Sequence, residues 1–548
     1  MYAFLAVTPI ILAIVLMVYF KLKSGMSLLA AWGLSAVLSI TFWRMNPAHT
    51  ASYTLLGFLS AIDILLIVFA AIFLLNVLLE LKFIKTIGNG FRDITQDRRI
   101  QILIIAWLFG SFIEGAAGFG TPGALAAPLL VGLGIPSYLA ALAGLIANSA
   151  PVLFGAAGTP TTAGFGAIAP SIPDMFPSVD PSVFFAQLNT RMALTNIFIG
   201  SFVPFMVIAS VVARDGKKRG FKDAFNILPL CMFTGLAFTL PSYAVSFLGP
   251  QLPSLVGAFV GLSATILAVK KGFLVPKDVY RFLDDPIITE VHSEKTGISQ
   301  LMAWSPYALI AVCLVLSRLP WLPFVDIIRN ASMTITAHNL FGFTGINWNW
   351  MPLNNPGLFP FLPVALLYLF TRNKDGAEVP KKVMIKTLKQ LKNAAIALMF
   401  GVALVQIMRF TNYSNPAGEL GAMTTEIATA LAAMFGGAYL LVAPFIGMIG
   451  GFVAGSNTVS NIMFFPLHLE AAVATGLPAV MVLAAQSMGG AVGSMVSINN
   501  VVAVTATTNA IGMERKLLTG VMLPGLLYSF AVAAIMFVYL AIGLTWVA

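Results

Sequence analysis

One acidic residue, Glu114, lies in a segment that is apolar enough for a membrane and yet rich in helix breakers, GSFIEGAAGFGTPG at 110–123. A second segment of this kind, NSAPVLFGAAGTPTTAGFG, follows at 148–166. In hydrocarbon, a backbone N–H or C=O that leaves a helix is costly unless protein or water satisfies it. Interrupted helices at membrane depth therefore line cavities, and secondary transporters build their substrate sites from them.

Glu114 is surrounded in sequence by Gly, Ala and Phe, an environment that disfavours a charged carboxylate. A carboxyl in such a place is suited to binding and releasing a proton, so we predict that Glu114 couples the protein to protons. The alternative is that Glu114 ends a helix or pairs with an arginine.

Two arginines inside apolar runs could neutralise an anionic substrate, because a guanidinium matches a carboxylate in a bidentate manner. Arg191 has polar neighbours in QLNTRMALTN, so we predict that it binds substrate. Arg409 lies nearer the end of its run, where a side chain that extends to the membrane surface is an equally good interpretation.

Neutral polar residues cluster at the interrupted segments. Half-helix N-termini offer free N–H groups and a positive dipole end to an anion, and hydroxyl and amide groups add further partners. The alternative for any one of these residues is a hydrogen bond between helices. The predicted substrate-binding residues of this type are Thr121, Asn148, Ser149, Ser456, Asn457 and Asn461.

The chemistry of an enzyme or a metal site is missing from the sequence. The four histidines (His49, His292, His338 and His468) are scattered, and there is no His-Glu-x-x-His motif or other cluster of a nucleophile with a base. We therefore expect neither an enzyme nor a resident cofactor or metal, with the proton as the coupling ion.

Composition places the chain in a membrane. Of its 548 residues, 59% are hydrophobic and 9% are charged, against roughly 25% charged in soluble domains. Spans of about 20 residues predict an all-α polytopic protein with roughly 12–16 crossings and no partner nucleic acid, despite the net charge of +10. The unbroken spans are predicted at 3–20, 26–43, 55–79, 184–212, 224–248, 252–269, 300–317, 356–371, 393–411 and 519–547, with broken crossings in 100–170 and 438–512.

Basic residues occur in short loops and set the orientation. If all of them are cytoplasmic, both termini and the loops 44–52, 170–183, 249–253 and 318–355 face outward. The stretch KKVMIKTLKQLK at 381–392 then reads as an amphipathic helix on the cytoplasmic surface. The basic clusters are Lys21/Lys23, 82–99, 214–222, 270–281, 372–392 and Arg515/Lys516.

An internal repeat is predicted from a shared motif. Gly-x-Phe-x-x-Gly occurs at 110–115 and again at 450–455, and each copy opens a break followed by a Gly-Ile/Leu-Pro turn. The charge map makes the two copies enter the membrane from opposite faces, as in inverted-repeat transporters. We predict one transmembrane domain, 1–548, with repeats at 55–212 and 393–547 and intervening spans at 213–392. Two unrelated helix-packing regions are the alternative.

The segment GSFIEGAAGFGTPGALAAPLLVGLGIPSYLAALAGLIANSAPVLFGAAGTP at 110–160 resembles the signature region of the lactate permease family, as does GSNTVSN at 455–461. Arg191 is placed as in that family, and the resemblance extends over the whole chain. It implies a proton symporter of L-lactate, and often of D-lactate or glycolate, in a bacterial cytoplasmic membrane. This sequence departs from the family pattern at Asn457, where well-known members carry an acidic residue.

The sequence thus predicts a multi-pass inner-membrane symporter of L-lactate and related small 2-hydroxymonocarboxylates. The partners expected are the hydroxy acid and the lipid bilayer, and the oligomeric state stays open. The alternatives are a transporter of the same fold for another small carboxylate, or a cation/proton antiporter.

Overall fold

The computed structural model describes residues 2–91, 94–118, 121–215, 221–283, 296–317, 322–328, 331–373, 376–412 and 420–544. Within these ranges most residues are helical, and the described strands form one two-stranded antiparallel hairpin. Eleven of the described helical segments are long and apolar enough to cross a membrane, and four shorter apolar helices accompany them. The predicted all-α polytopic architecture is confirmed.

The first interrupted region and the helices around it form the N-terminal part. A π-helix, Leu103–Phe109, joins α5 to α6 in one segment, and a 3-10 turn, Pro151–Phe154, precedes α9. The helices here are α1 (Tyr2–Val18), α2 (Ser24–Thr41), α3 (Pro47–Glu80), α4 (Phe83–Asn89), α5 (Arg98–Ile102), α6 (Gly110–Ala117), α7 (Thr121–Gly132), α8 (Ser137–Ala147), α9 (Gly155–Ile168), α10 (Ile172–Met175), α11 (Pro181–Gly200) and α12 (Val203–Val212).

The central part contains the hairpin, whose register pairs Ile335 with Trp350. Its elements are α13 (Phe221–Phe225), α14 (Leu228–Ser246), α15 (Pro253–Lys270), α16 (Gln300–Leu316), α17 (Phe324–Ile328), β1 (Ile335–Ala337), β2 (Trp348–Trp350), α18 (Leu362–Arg372) and α19 (Glu378–Arg409). The C-terminal part holds α20 (Met423–Phe435), α21 (Tyr439–Ala454), α22 (Asn457–Thr475), α23 (Ala479–Met495), α24 (Ile498–Thr507) and α25 (Glu514–Ala541).

Two predicted elements differ in the structure. The span predicted at 184–212 is divided into α11 and α12 at Ser201–Phe202, because Pro204 has no N–H to continue the hydrogen-bond ladder and starts a new helix. The surface helix predicted at 381–392 is continuous with the following span in α19, a helix of 32 residues.

Close helix packing depends on small residues. A Cβ on Gly447 or Gly451 of α21 would collide with backbone atoms of α23, and a Cβ on Gly57 of α3 would collide with the backbone of α19. Inside a bilayer there is no hydrophobic driving force between helices, because lipid tails are as apolar as the side chains. Close backbone packing at small residues stabilises the helix pairs instead. In the pairs α21–α23 and α3–α19 the helix backbones therefore lie in direct contact.

A buried ion pair fixes the start of the segment that carries Glu114, the end that the charge map places in the cytoplasm. Arg99 is 1% exposed and donates from Nη2 to Asp97 Oδ2 at 2.7 Å. Its guanidinium also donates to the carbonyl oxygens of Asp223 (2.7 Å) and Asp278 (2.9 Å). Asp97 in turn accepts from the backbone N–H of Tyr280 at 3.1 Å. These bonds tie α5 to α13 and to the loop that follows α15.

Removing one member of this pair should destabilise the protein. We expect Asp97→Asn to lower the stability by about 3–5 kcal/mol, because the Arg99 charge then stays buried without its counter-charge. Thermal unfolding of the detergent-solubilised protein measures this. The control Lys382→Gln breaks an exposed pair with Glu80 (2.7 Å, Lys382 side chain 67% exposed) and should cost less than about 1 kcal/mol. Equal effects of the two variants would contradict the assignment.

Candidate transport site

The two interrupted regions meet at one small buried cavity of about 20 Å³. This is close to the volume that one water molecule requires, so an organic acid can enter only if the walls move apart. The lining comes from both predicted repeats and consists of Glu114, Gly118, Asn148, Val152, Gly155, Ala156, Pro160, Gly455, Ser456, Asn457, Thr458, Ser494 and Asn500.

Glycines allow the two halves of the first interrupted region to cross. Gly118 ends α6 with φ +59° and ψ −156°, and a Cβ there would collide with Ala156. A Cβ on Gly155 would collide with Oε1 of Glu114. The Glu114 side chain therefore lies directly against the backbone at the start of α9, a contact that any larger residue at 155 would prevent.

The start of α9 is strained. Ala156 and Ala157 have φ of +42° and +52°, and Gly158 follows at +78°. Non-glycine residues in this left-handed region cost about 1–3 kcal/mol each and tend to occur at functional sites. The turn ends at Thr159, whose hydroxyl donates to the carbonyl oxygen of Ala156, and Pro160 lies in the first turn of the regular helix.

Three helix N-termini converge on the cavity. Regular α9 begins beside Pro160, and α22 begins at Asn457 after its cap Ser456, while Asn500 lies in the first turn of α24. The first turns of a helix carry unpaired N–H groups and the positive end of the dipole. The cavity is thus favourable for an anion, although no described residue of its lining is cationic.

Glu114 is the one ionisable side chain among the described lining residues. It is 3% exposed and forms a side-chain hydrogen bond with Asn148. Oε2 of Glu114 and the Oδ1 atoms of Asn148 and Asn457 are buried and have no hydrogen-bond partner in the described part of the chain. Buried oxygens without partners are destabilising. A proton on Glu114, or a donor from a bound molecule, would therefore stabilise this cluster.

The structure brings together four of the predicted site residues, Glu114, Asn148, Ser456 and Asn457. Asn461 lies behind them, and its amide donates to the Pro160 carbonyl oxygen (3.1 Å) and to Ser487 Oγ (2.9 Å), which joins α22 to α9 and α23.

The other three predicted residues are placed differently. The hydroxyl of Ser149 donates to Ile146 O at 2.9 Å, so it is bonded to its own chain segment. The side chain of Thr121 lies outside the described part of the structure. Arg191 is in α11, away from the cavity lining, with Tyr243 and Tyr539 as its electrostatic neighbours. The role of Arg191 stays a prediction.

Several lining residues were not predicted. Ala156 and Pro160 are two of them. Their side chains suggest no chemistry, and they contribute to the site through the backbone geometry at the start of α9. The one available signal was the GAAGTP sequence itself, in which glycines flank a break and proline follows it.

A larger vestibule of about 580 Å³ lies on the predicted outer side. Its lining includes Ser182, Gly249 and Trp350, all in or next to segments that the charge map places outside. Helices α9 and α22 run from the cavity to this vestibule, because Gly166 lines the vestibule about two turns after Pro160, and Ile462 about one turn after Thr458. Residues of α9 and α22 therefore line both the small cavity and the vestibule.

Arg409 holds the far end of α9. Its guanidinium donates to the Ala167 carbonyl oxygen and to Ser171 Oγ, at the C-terminus of α9, and the side chain is buried. A cation is favourable there, because the last carbonyls of a helix carry the negative end of its dipole. Glu470 of α22 lies nearby and accepts a hydrogen bond from Thr424 at 2.6 Å. Arg409 therefore connects α19 to α9 and does not extend to the membrane surface.

Comparison with known proteins identifies the family. The chain matches the family model described as L-lactate permease over residues 2–543. It belongs to the L-lactate permease family. The family resemblance of the sequence is thereby confirmed, as are the predictions of a transporter and of a multi-pass protein of the bacterial inner membrane.

Relatives cover nearly the whole chain. A putative L-lactate permease of Haemophilus influenzae is 29% identical over 96% of this chain and 97% of its own length. An L-lactate permease of Bacillus subtilis is 28% identical, with coverages of 94% and 92%. A glycolate permease of Escherichia coli K12 is 27% identical, with coverages of 94% and 91%. This member of the family thus has permeases for two small 2-hydroxy acids among its relatives.

A methyl group at Gly155 should abolish transport. We expect Gly155→Ala to reduce uptake at least about tenfold, because the added Cβ displaces the Glu114 carboxyl by more than an active site tolerates. Initial uptake rates, normalised to the amount of protein in the membrane, measure the effect. Gly33→Ala is the matched control, since a Cβ at that helical position meets nothing within 4 Å. Normal uptake by Gly155→Ala would exclude the Glu114–α9 contact from the mechanism.

Weakening the Arg409 contacts should affect the apparent affinity more than the folding. Arg409→Lys keeps the positive charge but replaces the planar guanidinium, which donates from two nitrogens, by an ammonium group with one nitrogen. Losing one charged hydrogen bond, worth about 1.5–3 kcal/mol, should shift α9 and raise KM roughly tenfold or more. Uptake measured as a function of lactate concentration gives KM, and thermal unfolding measured in parallel reports on folding. The control is Arg372→Lys at the exposed end of α18, which should leave KM unchanged. An unchanged KM would show that Arg409 does not position α9.

Proposed function

We propose that this transporter carries L-lactate and related small 2-hydroxymonocarboxylates, including glycolate, together with a proton. The names of the relatives support the substrate class. The observation that carries the proposal is Glu114, the one carboxyl among the described lining residues of a small cavity at which three helix N-termini converge.

The coupling follows from competition between two negative charges for the same donors. An ionised Glu114 attracts the positive helix ends to itself and repels a second carboxylate. A protonated Glu114 releases those donors and removes the repulsion, so the substrate anion binds best when the proton is present. By linkage, the anion favours protonation of Glu114 to the same extent. The two ligands therefore cross the membrane together.

The other groups around the cavity can bind the carboxylate and the hydroxyl of a hydroxy acid. The substrate carboxylate takes the N–H groups at the starts of α9 and α22, and the amides of Asn148 and Asn457 hold its hydroxyl. Arg191 attracts the anion, but direct contact requires that α11 moves relative to α9. Because Asn457 replaces the acidic residue of well-known family members, Glu114 carries the proton without a second carboxylate in the lining.

Alternating access then needs only a small rearrangement of α9 and α22. Both helices line the outer vestibule and the cavity, so their tilting opens the cavity to the outside. We further propose that 55–212 and 393–547 are inverted repeats that exchange roles to open the inside. Support comes from the left-handed glycines Gly118 and Gly455, one at the break of each repeat, which both line the cavity.

Gradient-driven uptake into proteoliposomes tests the proposal. For symport of one proton with one lactate, a pH gradient of about one unit, acid outside, supports roughly tenfold accumulation of L-lactate. Glu114→Gln mimics the protonated residue, so it should lose accumulation while still exchanging internal for external lactate at a rate independent of pH.

The control variant is Glu80→Gln, which removes a carboxylate of the exposed pair with Lys382 and should accumulate lactate normally. Accumulation by Glu114→Gln equal to that of the unmodified protein would remove Glu114 from coupling. Absence of lactate and glycolate uptake under every gradient would refute the substrate class and favour another small carboxylate. Proton flux that follows an alkali cation would favour a cation/proton antiporter.

A further inference from the structure

A second large concavity lies on the side of the protein, away from the transport cavity. It has a volume of about 500 Å³ and lies between α11–α12 and α25. Its walls are aromatic and aliphatic, and Phe202 and Leu527 at its rim are 55% and 57% exposed. We call this concavity the lateral groove, and its long apolar walls match the dimensions and chemistry of acyl chains.

One end of the lateral groove is basic. Arg214, the one charged residue of its lining, donates from Nη1 to Ser210 O (3.0 Å) and from Nη2 to Gly520 O (3.3 Å), which joins α12 to α25. Lys516 lies 4.3 Å from the centre of the Tyr138 ring, and Tyr138 is itself hydrogen-bonded to Arg214. Arg214 and Lys516 therefore flank one tyrosine at the end that the charge map places in the cytoplasm.

Within the described part of the chain, neither Arg214 nor Lys516 forms an ion pair. The ion pairs that do occur there include Arg99 with Asp97 and Lys382 with Glu80. The acidic residue nearest to Arg214 in sequence, Asp215, accepts hydrogen bonds from Tyr280 Oη (2.7 Å) and from the backbone N–H of Leu283 (3.0 Å). The one nearest to Lys516, Glu514, accepts from the Thr505 hydroxyl (3.2 Å) and from the backbone N–H of Gly512 (3.1 Å).

We propose that the lateral groove binds an anionic phospholipid of the cytoplasmic leaflet. Its acyl chains lie between α12 and α25, and its phosphate contacts Arg214 and Lys516. Basic pockets between transmembrane helices at the cytoplasmic side suit anionic headgroups, and the guanidinium has donors left for a phosphate oxygen. A zwitterionic lipid is disfavoured, because its ammonium group lies beside the same two cations.

The bound lipid supports the transport site through α25. A Cβ on Gly525 of α25 would lie 3.2 Å from Met448 of α21 and 3.2 Å from Val492 of α23. Helices α21 and α23 carry Gly455 and Ser494 at their cavity ends. A lipid that joins α12 to α25 therefore stabilises the helices around the cavity, although it takes no part in the chemistry.

Lipid binding to the purified full-length protein tests the proposal without any transport measurement, so its outcome is independent of the proposed substrate. Native mass spectrometry with phosphatidylglycerol and phosphatidylcholine should show preferential binding of the anionic lipid. Arg214→Gln with Lys516→Gln should weaken phosphatidylglycerol binding by about fivefold per cation removed. The matched control is Lys270→Gln with Lys271→Gln, at the cytoplasmic end of α15 and outside the groove, which should not change it.

The apolar wall is tested separately, in case the charge variants fold poorly. Ala209→Trp should fill the lateral groove and reduce binding of phosphatidylglycerol, whereas glycerol 3-phosphate should not compete with the lipid. Equal affinity for the two lipids, equal losses in the control variant, or full competition by glycerol 3-phosphate would each overturn the proposal.

Discussion

The placement of one carboxyl against the starts of several helices is the interaction on which the rest of the structure depends. Glu114 shares a cavity of about 20 Å³ with the first turns of α9, α22 and α24. In the coupling that we propose, the charge of Glu114 decides whether the helix ends are available to another anion. The supporting structure, from the Arg99–Asp97 pair to Arg409, holds those helix ends in place.

Helix packing explains how a membrane protein can contain such a site. Interrupted backbone is costly in lipid, and here it is placed against other protein backbone at glycine contacts such as Gly118 with Ala156. The left-handed Ala156 lies where α6 and α9 cross, against Gly118. A break that is held in this way can open with small movements, as alternating access requires.

Much of this arrangement could be predicted from the sequence, because apolar length predicts spans, and polar residues within breaks predict a lining. Glu114, Asn148, Ser456 and Asn457 were found in this way. Residue type does not show which face of a long helix meets the cavity. For this reason the sequence predicted Arg191 at the site, whereas its side chain lies outside the cavity lining. The contributions of Ala156 and Arg409 depend on backbone conformation and on tertiary contact between distant helices, which a single sequence does not encode visibly.

The most direct test of the central claim is the number of protons taken up when lactate binds. Calorimetric titration of the purified protein, in buffers of different ionisation enthalpy, measures this number as a function of pH. The account predicts close to one proton per lactate at alkaline pH, falling towards none at acid pH, and none at any pH in Glu114→Gln. Lactate binding without proton uptake, or proton uptake that survives Glu114→Gln, would contradict it.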